Sequence, residues 1–145
     1  MAINQKNRKL QLHELVDSID VLDTKEEKIN QIRRIVKGYP AFNDYVRGLF
    51  DDNIQFALPE GRPPFTPSGE NHPTSWNKEH LKLRYFVKSA KYAEMNQVKR
   101  ETMFIQMLEG IHPKDAILVA DMADKRHSST LTKELLNEAV PGLIR

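Results

Sequence analysis

This chain of 145 residues contains no cysteine. That absence excludes disulfides, cysteine-ligated zinc, iron–sulfur clusters and thiolate catalysis. The six glycines are dispersed and form no phosphate-cradling loop. No apolar run approaches the roughly 18 residues that span a membrane, and the segment MAINQKNRKLQ lacks the apolar centre of a signal peptide. With 39% hydrophobic and 29% charged residues, the composition is typical of a globular protein with some extended parts.

The histidines form no metal-binding or catalytic motif, since neither H-E-x-x-H nor His-x-His occurs. His112 directly precedes Pro113 at a helix junction, where we expect it to pack or to cap the helix. His80 is expected to be solvated. The sequence therefore predicts no metal centre and no cofactor.

The acidic residues also indicate no catalytic pair. Asp51 and Asp52 follow a predicted helix end, and we expect them to lie in water, although their oxygens could bind a divalent cation. Asp121 and Asp124 are expected to face solvent. Because nothing suggests two carboxylates converging on a cleft, the prediction is a protein without enzymatic activity and without catalytic residues.

Helical periodicity predicts an all-α fold, a single compact domain of about six helices that spans residues 1–145. Within it, residues 1–9 are predicted to be a flexible arm, and residues 98–124 the pair of helices at the core. The capping residue Thr24, the helix-initiating prolines Pro40 and Pro113, and Asn96 as an N-cap set helix boundaries.

A proline-rich stretch interrupts this pattern at residues 51–76, which contain five of the eight prolines. Proline removes a backbone donor and restricts the residue before it, so the stretch cannot form a helix or a central strand. The same stretch carries large apolar side chains, namely Ile54, Phe56, Leu58, Phe65 and Trp76. We expect an extended segment packed across the helices, and the alternative is a mobile loop that orders on a partner.

Positive charge is concentrated in residues 78–100, which carry seven basic and two acidic side chains. A helix is predicted from about Lys78 to about Ala93, with basic residues along one edge. Basic and aromatic side chains together could bind phosphates and bases, whereas the simpler interpretation is the solvated edge of a buried helix. Candidate partner-binding residues, taken from this segment and from the proline-rich stretch, are Arg62, Phe65, Arg84, Tyr85, Lys88, Lys91, Tyr92, Lys99 and Arg100.

Several strings resemble an uncharacterised family of small proteins encoded by T4-like, mainly marine, myophages. The most specific are LPEGRPPF at residues 58–65, VKRETMFIQMLEGIHPKDA at residues 98–116 and VPGL at residues 140–143. The resemblance covers most of residues 41–145. It implies a phage origin and action in the host cytoplasm during infection or in a virion, and it supplies no catalytic residues.

Three functions remain open at this stage. The first is a non-enzymatic phage protein that binds a protein of the phage or host replication or transcription machinery. The second is a small structural component of the virion, and the third is a nucleic-acid-binding accessory protein. No membrane association is expected.

Overall fold

A computed structural model describes residues 9–145 and shows an all-helical domain. Within that range lie seven α-helices, and a 3₁₀ helix at His80–Tyr85 directly follows the fourth. No β-strand occurs in residues 9–145, where the one β-type pairing is an isolated antiparallel bridge between Phe56 and Val87. The α-helices are α1 Leu12–Asp20, α2 Lys25–Gly38, α3 Pro40–Phe50, α4 Trp76–Glu79, α5 Gln97–Gly110, α6 Pro113–Ala123 and α7 Lys133–Ala139. The predicted all-α class is confirmed.

The first three helices begin at the residues that the sequence indicates, and they bury the apolar side chains that it indicates. Thr24 accepts a hydrogen bond from the Glu27 amide at the start of α2, and Pro40 opens α3. The buried stripe of α1 consists of Leu12, Leu15, Val16 and Ile19, and that of α3 includes Phe42, Tyr45, Val46 and Leu49. Each fully buried large apolar side chain contributes about 1.5–3 kcal/mol, so these stripes dominate the stability of this half.

Helix α6 lies at the centre, in contact with α1, α3 and α5, while α7 packs on α2. His112 caps α6 by accepting from the Lys114 amide, as predicted. The α5 helix is less buried than its composition indicates. It buries Phe104, Met107 and Leu108, whereas Val98 is 74% exposed and Ile105 only partly covered. One side of α5 therefore remains open to other contacts.

The proline-rich residues 51–75, called the strap below, form an ordered extended segment between α3 and α4. Its apolar side chains Ile54, Leu58 and Phe65 pack against the core, and Phe56 belongs to it. Trp76 directly follows the strap as the first residue of α4. It is fully buried and donates its indole N–H to the Ala41 carbonyl at 2.8 Å. The prediction of a packed extended segment is confirmed.

The helix predicted from Lys78 to about Ala93 is wrong beyond Tyr85. The chain leaves the 3₁₀ helix there and forms a loop at residues 86–96, called the basic loop below. Backbone bonds to the strap cause the change, because the Phe86 carbonyl accepts from Ala57 and the Lys88 amide donates to Gln55, both at 2.7 Å. These long-range bonds compete with continuation of the helix.

Two further expectations are corrected. His80 is not solvated but buried, and its Nδ1 lies 2.6 Å from an Asp44 carboxylate oxygen. Asp51 is also buried, and its carboxylate accepts from the Asn53 amide. The flexible arm predicted at residues 1–9 lies outside the described residues except for Lys9, whose ammonium donates to the Gly38 carbonyl at 3.2 Å.

Candidate partner-binding site

The first half of the strap is tied to the C-terminal half of α6 by two aspartates. The Gly61 amide donates to both carboxylate oxygens of Asp124 at 3.1 Å. Gly61 has a φ of +90°. Residues with a side chain rarely adopt this conformation, so the turn favours glycine at this position. Arg62 binds Asp121 through its guanidinium, with a closest distance of 3.0 Å. Asp121 and Asp124 therefore do not simply face solvent, as the sequence suggested, but hold the strap.

The second half of the strap follows the C-terminal end of α5. The Thr66 amide donates to Glu109 at 2.7 Å, and the Thr74 amide donates to the Gly110 carbonyl at 3.0 Å. A Cβ atom on Gly110 would lie only 3.0 Å from the Thr74 side chain, so glycine allows this close approach. The Gln97 side chain at the start of α5 donates to the Ala57 carbonyl at 3.0 Å, so the strap runs from the start of α5 at Ala57 to its end at Thr66.

A groove separates the strap from the two core helices. It encloses about 370 Å³, and α5 and α6 form its apolar floor. Ile105 lies on that floor, partly exposed and outside the set of side chains packed against the core. The groove is lined by Leu58, Pro59, Glu60, Gly61, Arg62, Pro63, Pro64, Glu101, Phe104, Ile105, Ala120 and Ala123.

The rim of the groove carries more negative than positive charge. Arg62 is neutralised by Asp121, whereas Glu60 and Glu101 have no hydrogen-bonding or ionic partner among the described residues. Unpaired carboxylates beside an apolar floor favour a ligand that places a cation next to an apolar group. The groove can therefore select by charge as well as by shape.

The two candidate residues of the strap have different surroundings. Phe65 is partly buried and packs against the core, so it holds the strap in place. The Arg62 side chain remains 47% exposed despite its ion pair, which leaves one side accessible at the groove. Arg62 as a partner contact stays a prediction.

The remaining candidates lie around the basic loop. The cations of Arg84, Lys88, Lys91 and Lys99 are exposed, and none pairs with a carboxylate in residues 9–145. Lys82, by contrast, binds Glu79 at 3.0 Å. We call the set Arg84, Tyr85, Lys88, Lys91, Tyr92 and Lys99 the basic face.

Two tyrosines lie side by side on the basic face. The ring centroids of Tyr85 and Tyr92 are 4.9 Å apart, with the ring planes at 73°. The Arg84 guanidinium lies 5.2 Å from the centre of the Tyr85 ring, and the Lys91 ammonium lies 5.5 Å from that of Tyr92. Such cation–π contacts are worth about 0.5–1 kcal/mol at exposed sites, enough to orient the flexible side chains.

Arg100 was predicted to contact a partner, but the structure shows that it is buried. The residue is only 5% exposed. Its guanidinium donates to the backbone carbonyls of Tyr85 at 2.9 Å and Tyr92 at 2.6 Å, and to the Gln97 side chain. Arg100 thus connects the backbone at Tyr85 to the backbone at Tyr92 and holds the two tyrosines next to each other.

A histidine cluster, which the sequence did not reveal, joins α1, α6 and the strap. The fully buried carboxylate of Asp115 accepts from the backbone amides of Leu12 and His13 and contacts His13 Nδ1 at 2.7 Å. The ring centroids of His13 and His112 are 4.2 Å apart. The ring of His72 in the strap also lies close to His112, with a centroid distance of 5.5 Å. Because residues 13 and 115 are far apart in the chain, no local spacing could have indicated the contact.

Burial and the neighbouring His13 lower the pKa of His112, and the nearby carboxylate of Asp115 opposes that shift. Neutral His112 fits its role, since its Nδ1 accepts the capping hydrogen bond from Lys114. Over residues 9–145, no group of three His, Cys, Asp or Glu side chains is arranged to hold a metal ion. The contacts of the cluster join α1, α6 and the strap.

The described geometry defines a class: a single-domain, all-helical protein with a proline-rich strap over a groove between two core helices. The chain belongs to a family of unknown function, DUF6433, whose model matches residues 15–129. That range contains the strap, the groove and the basic face. No curated protein and no solved structure matches the chain. None of the helices in residues 9–145 is long and apolar enough to cross a membrane.

Proposed function

We propose that this protein is a non-enzymatic phage protein that binds a protein partner through the groove beneath the strap. The partner would belong to the replication or transcription machinery of the phage or its host, so the protein would act in the host cytoplasm during infection. Support for the phage assignment comes from the resemblance of the strings at residues 58–65 and 98–116 to proteins of T4-like phages.

One observation carries the proposal: the apolar floor of the groove includes Ile105, a large side chain that the fold covers only partly. The Ile105 side chain lies outside the set that packs against the core, so part of it is available to a partner. The strap that forms the opposite wall is fixed at both ends of the groove, by Gly61 on one side and Thr66 on the other. A partner segment would therefore meet a preformed surface and lose less entropy on binding.

The expected occupant is a short segment with an apolar side chain beside lysine or arginine. A volume of about 370 Å³ accommodates one or two side chains, near the lower end of the roughly 300–1,000 Å³ of typical ligand pockets. The unpaired carboxylates of Glu60 and Glu101 at the rim complement a basic residue.

The test begins with tagged protein expressed in infected cells, followed by mass spectrometry of the proteins that copurify. The dominant partner is then purified, and its affinity is measured by calorimetry for the wild type, Ile105→Glu and Glu101→Lys. Ile105→Glu should weaken binding at least about tenfold, because it places a charge on a desolvated apolar floor. Glu101→Lys should also weaken binding by reversing the charge of the rim.

Val21→Glu is the matched control, because Val21 is 74% exposed and does not line the groove. This variant should bind like the wild type. Equal affinity of the wild type and Ile105→Glu would show that the partner binds elsewhere. Copurification with intact particles at a fixed copy number, without a separate partner, would instead support the alternative of a virion component.

A further inference from the structure

The basic face has an unusual concentration of charge that the fold leaves without compensation. Its four cations have no acidic partner among residues 9–145, although the chain as a whole carries a net charge of only +2. The acidic residues in the same part of the sequence are Glu79, which is already paired with Lys82, and Glu94. Unpaired cations that lie together repel one another, so an anionic ligand would stabilise this face.

The loop that carries these cations is held in a fixed conformation. Burial of the Arg100 guanidinium is costly, and the charge is satisfied by carbonyls at the two ends of the segment from Tyr85 to Tyr92. The Phe86 ring is fully buried and contacts Phe104 edge to face at 5.2 Å, which anchors the base of the loop. These contacts hold the backbone that carries Lys88 and Lys91.

We propose that the basic face binds single-stranded nucleic acid, with phosphates on Arg84, Lys88 and Lys91 and bases against Tyr85 and Tyr92. The two adjacent aromatic rings favour this ligand over an acidic protein segment, since bases stack on aromatic rings and on guanidinium planes. Recognition of this kind tolerates many sequences, because every base offers a flat face. The site lies next to the groove, since Lys88 lines a cavity together with Leu58 and Glu60 of the groove wall, but it does not depend on the function proposed above.

The test measures the fluorescence anisotropy of a labelled 20-nucleotide thymidine strand at increasing KCl concentrations. The wild type should bind at low salt, with an affinity that falls as salt rises. Lys88→Ala combined with Lys91→Ala should reduce affinity and lower the slope of log affinity against log salt by about 1.4, since each phosphate contact on a single strand contributes about 0.7. Tyr92→Leu should weaken binding at least about fivefold with an unchanged slope, because stacking releases no counterions.

The matched control removes two exposed lysines elsewhere, Lys37→Ala with Lys114→Ala, and thus changes the net charge equally. This control should retain more affinity than the variant of the basic face. Equal losses in the two double variants would show a general charge effect and overturn the proposal. Absence of binding at 20 mM KCl, or equal competition by polyglutamate of the same length, would also overturn it. Circular dichroism of each variant confirms that the comparison concerns folded protein.

Discussion

The strap and the basic loop are both irregular segments next to α5, yet they are held by opposite chemistry. Carboxylates of α5 and α6 hold the strap, accepting from its backbone amides and from Arg62. The basic loop is held by a buried guanidinium, which donates to the carbonyl of Tyr85 just before the loop and to that of Tyr92 within it. The helices beneath the strap therefore present negative charge, whereas the loop leaves its cations exposed. The two surfaces of this small domain suit ligands of opposite charge.

The comparison between the strap and the basic loop predicts its largest effect on stability for Arg100→Met. Methionine keeps much of the side-chain volume but leaves two partly buried carbonyls and Gln97 without their donor. We expect a loss of about 3 kcal/mol in the free energy of unfolding, measured by urea denaturation. A loss below about 1 kcal/mol would show that the loop holds its shape without Arg100.

A change of pH should affect the strap and leave the basic loop nearly unchanged. The pKa of His112 is lowered in the folded state, so the unfolded chain binds the proton more readily. Stability is therefore lost as the pH falls below about 6.5, the ordinary pKa of histidine, towards the lower pKa of the folded state. The groups that face His112 are His13 from α1, His72 from the strap, and Lys114 and Asp115 from α6.

Hydrogen exchange at pH 7.5 and pH 5.5 can locate this effect after correction for the intrinsic exchange rates. We expect protection to fall in residues 72–74 and at the start of α6, with less change in residues 86–96. His112→Asn keeps a good N-cap without a titrating group, so its pH dependence should be smaller. The same pH dependence in that variant would assign the effect to another group.

The smallest effect is expected from Arg62→Met, which removes the ion pair with Asp121. Because the Arg62 side chain is 47% exposed, the unfolding free energy should change by less than about 1 kcal/mol. The Gly61 amide and the other strap contacts remain in this variant. A loss as large as that of Arg100→Met in the same urea experiment would remove the distinction between the exposed ion pair of the strap and the buried guanidinium beneath the loop.

The sequence predicted those parts of the fold that depend on local chemistry. Proline at five positions excludes regular structure in the strap irrespective of its neighbours, and Thr24 and His112 cap the helices that follow them. The basic loop was mispredicted because Leu83, Phe86 and Val87 have helical spacing. Pairing with strap residues 55–57 decides its conformation, and that pairing leaves no trace in the local pattern.

The candidate site shows the same division. The basic residues and tyrosines of residues 84–92 could be selected by composition, and the structure brings Arg84, Tyr85, Lys91 and Tyr92 together. Arg100 could not be distinguished from its exposed neighbour Lys99, since only the fold determines which of two adjacent cations is buried. The groove could not be predicted from the sequence either, because its floor and its opposite wall are distant in the chain.

The bond between Asp115 and the start of α1 has a consequence for the order of folding in the cell. His13 must wait for a partner that is synthesised 102 residues later. At about 5–20 residues per second, the delay is roughly 5–20 seconds. During that time α1 and α3 cannot bury the faces that α6 later covers. The core can therefore be completed only late in synthesis, once α6 is available.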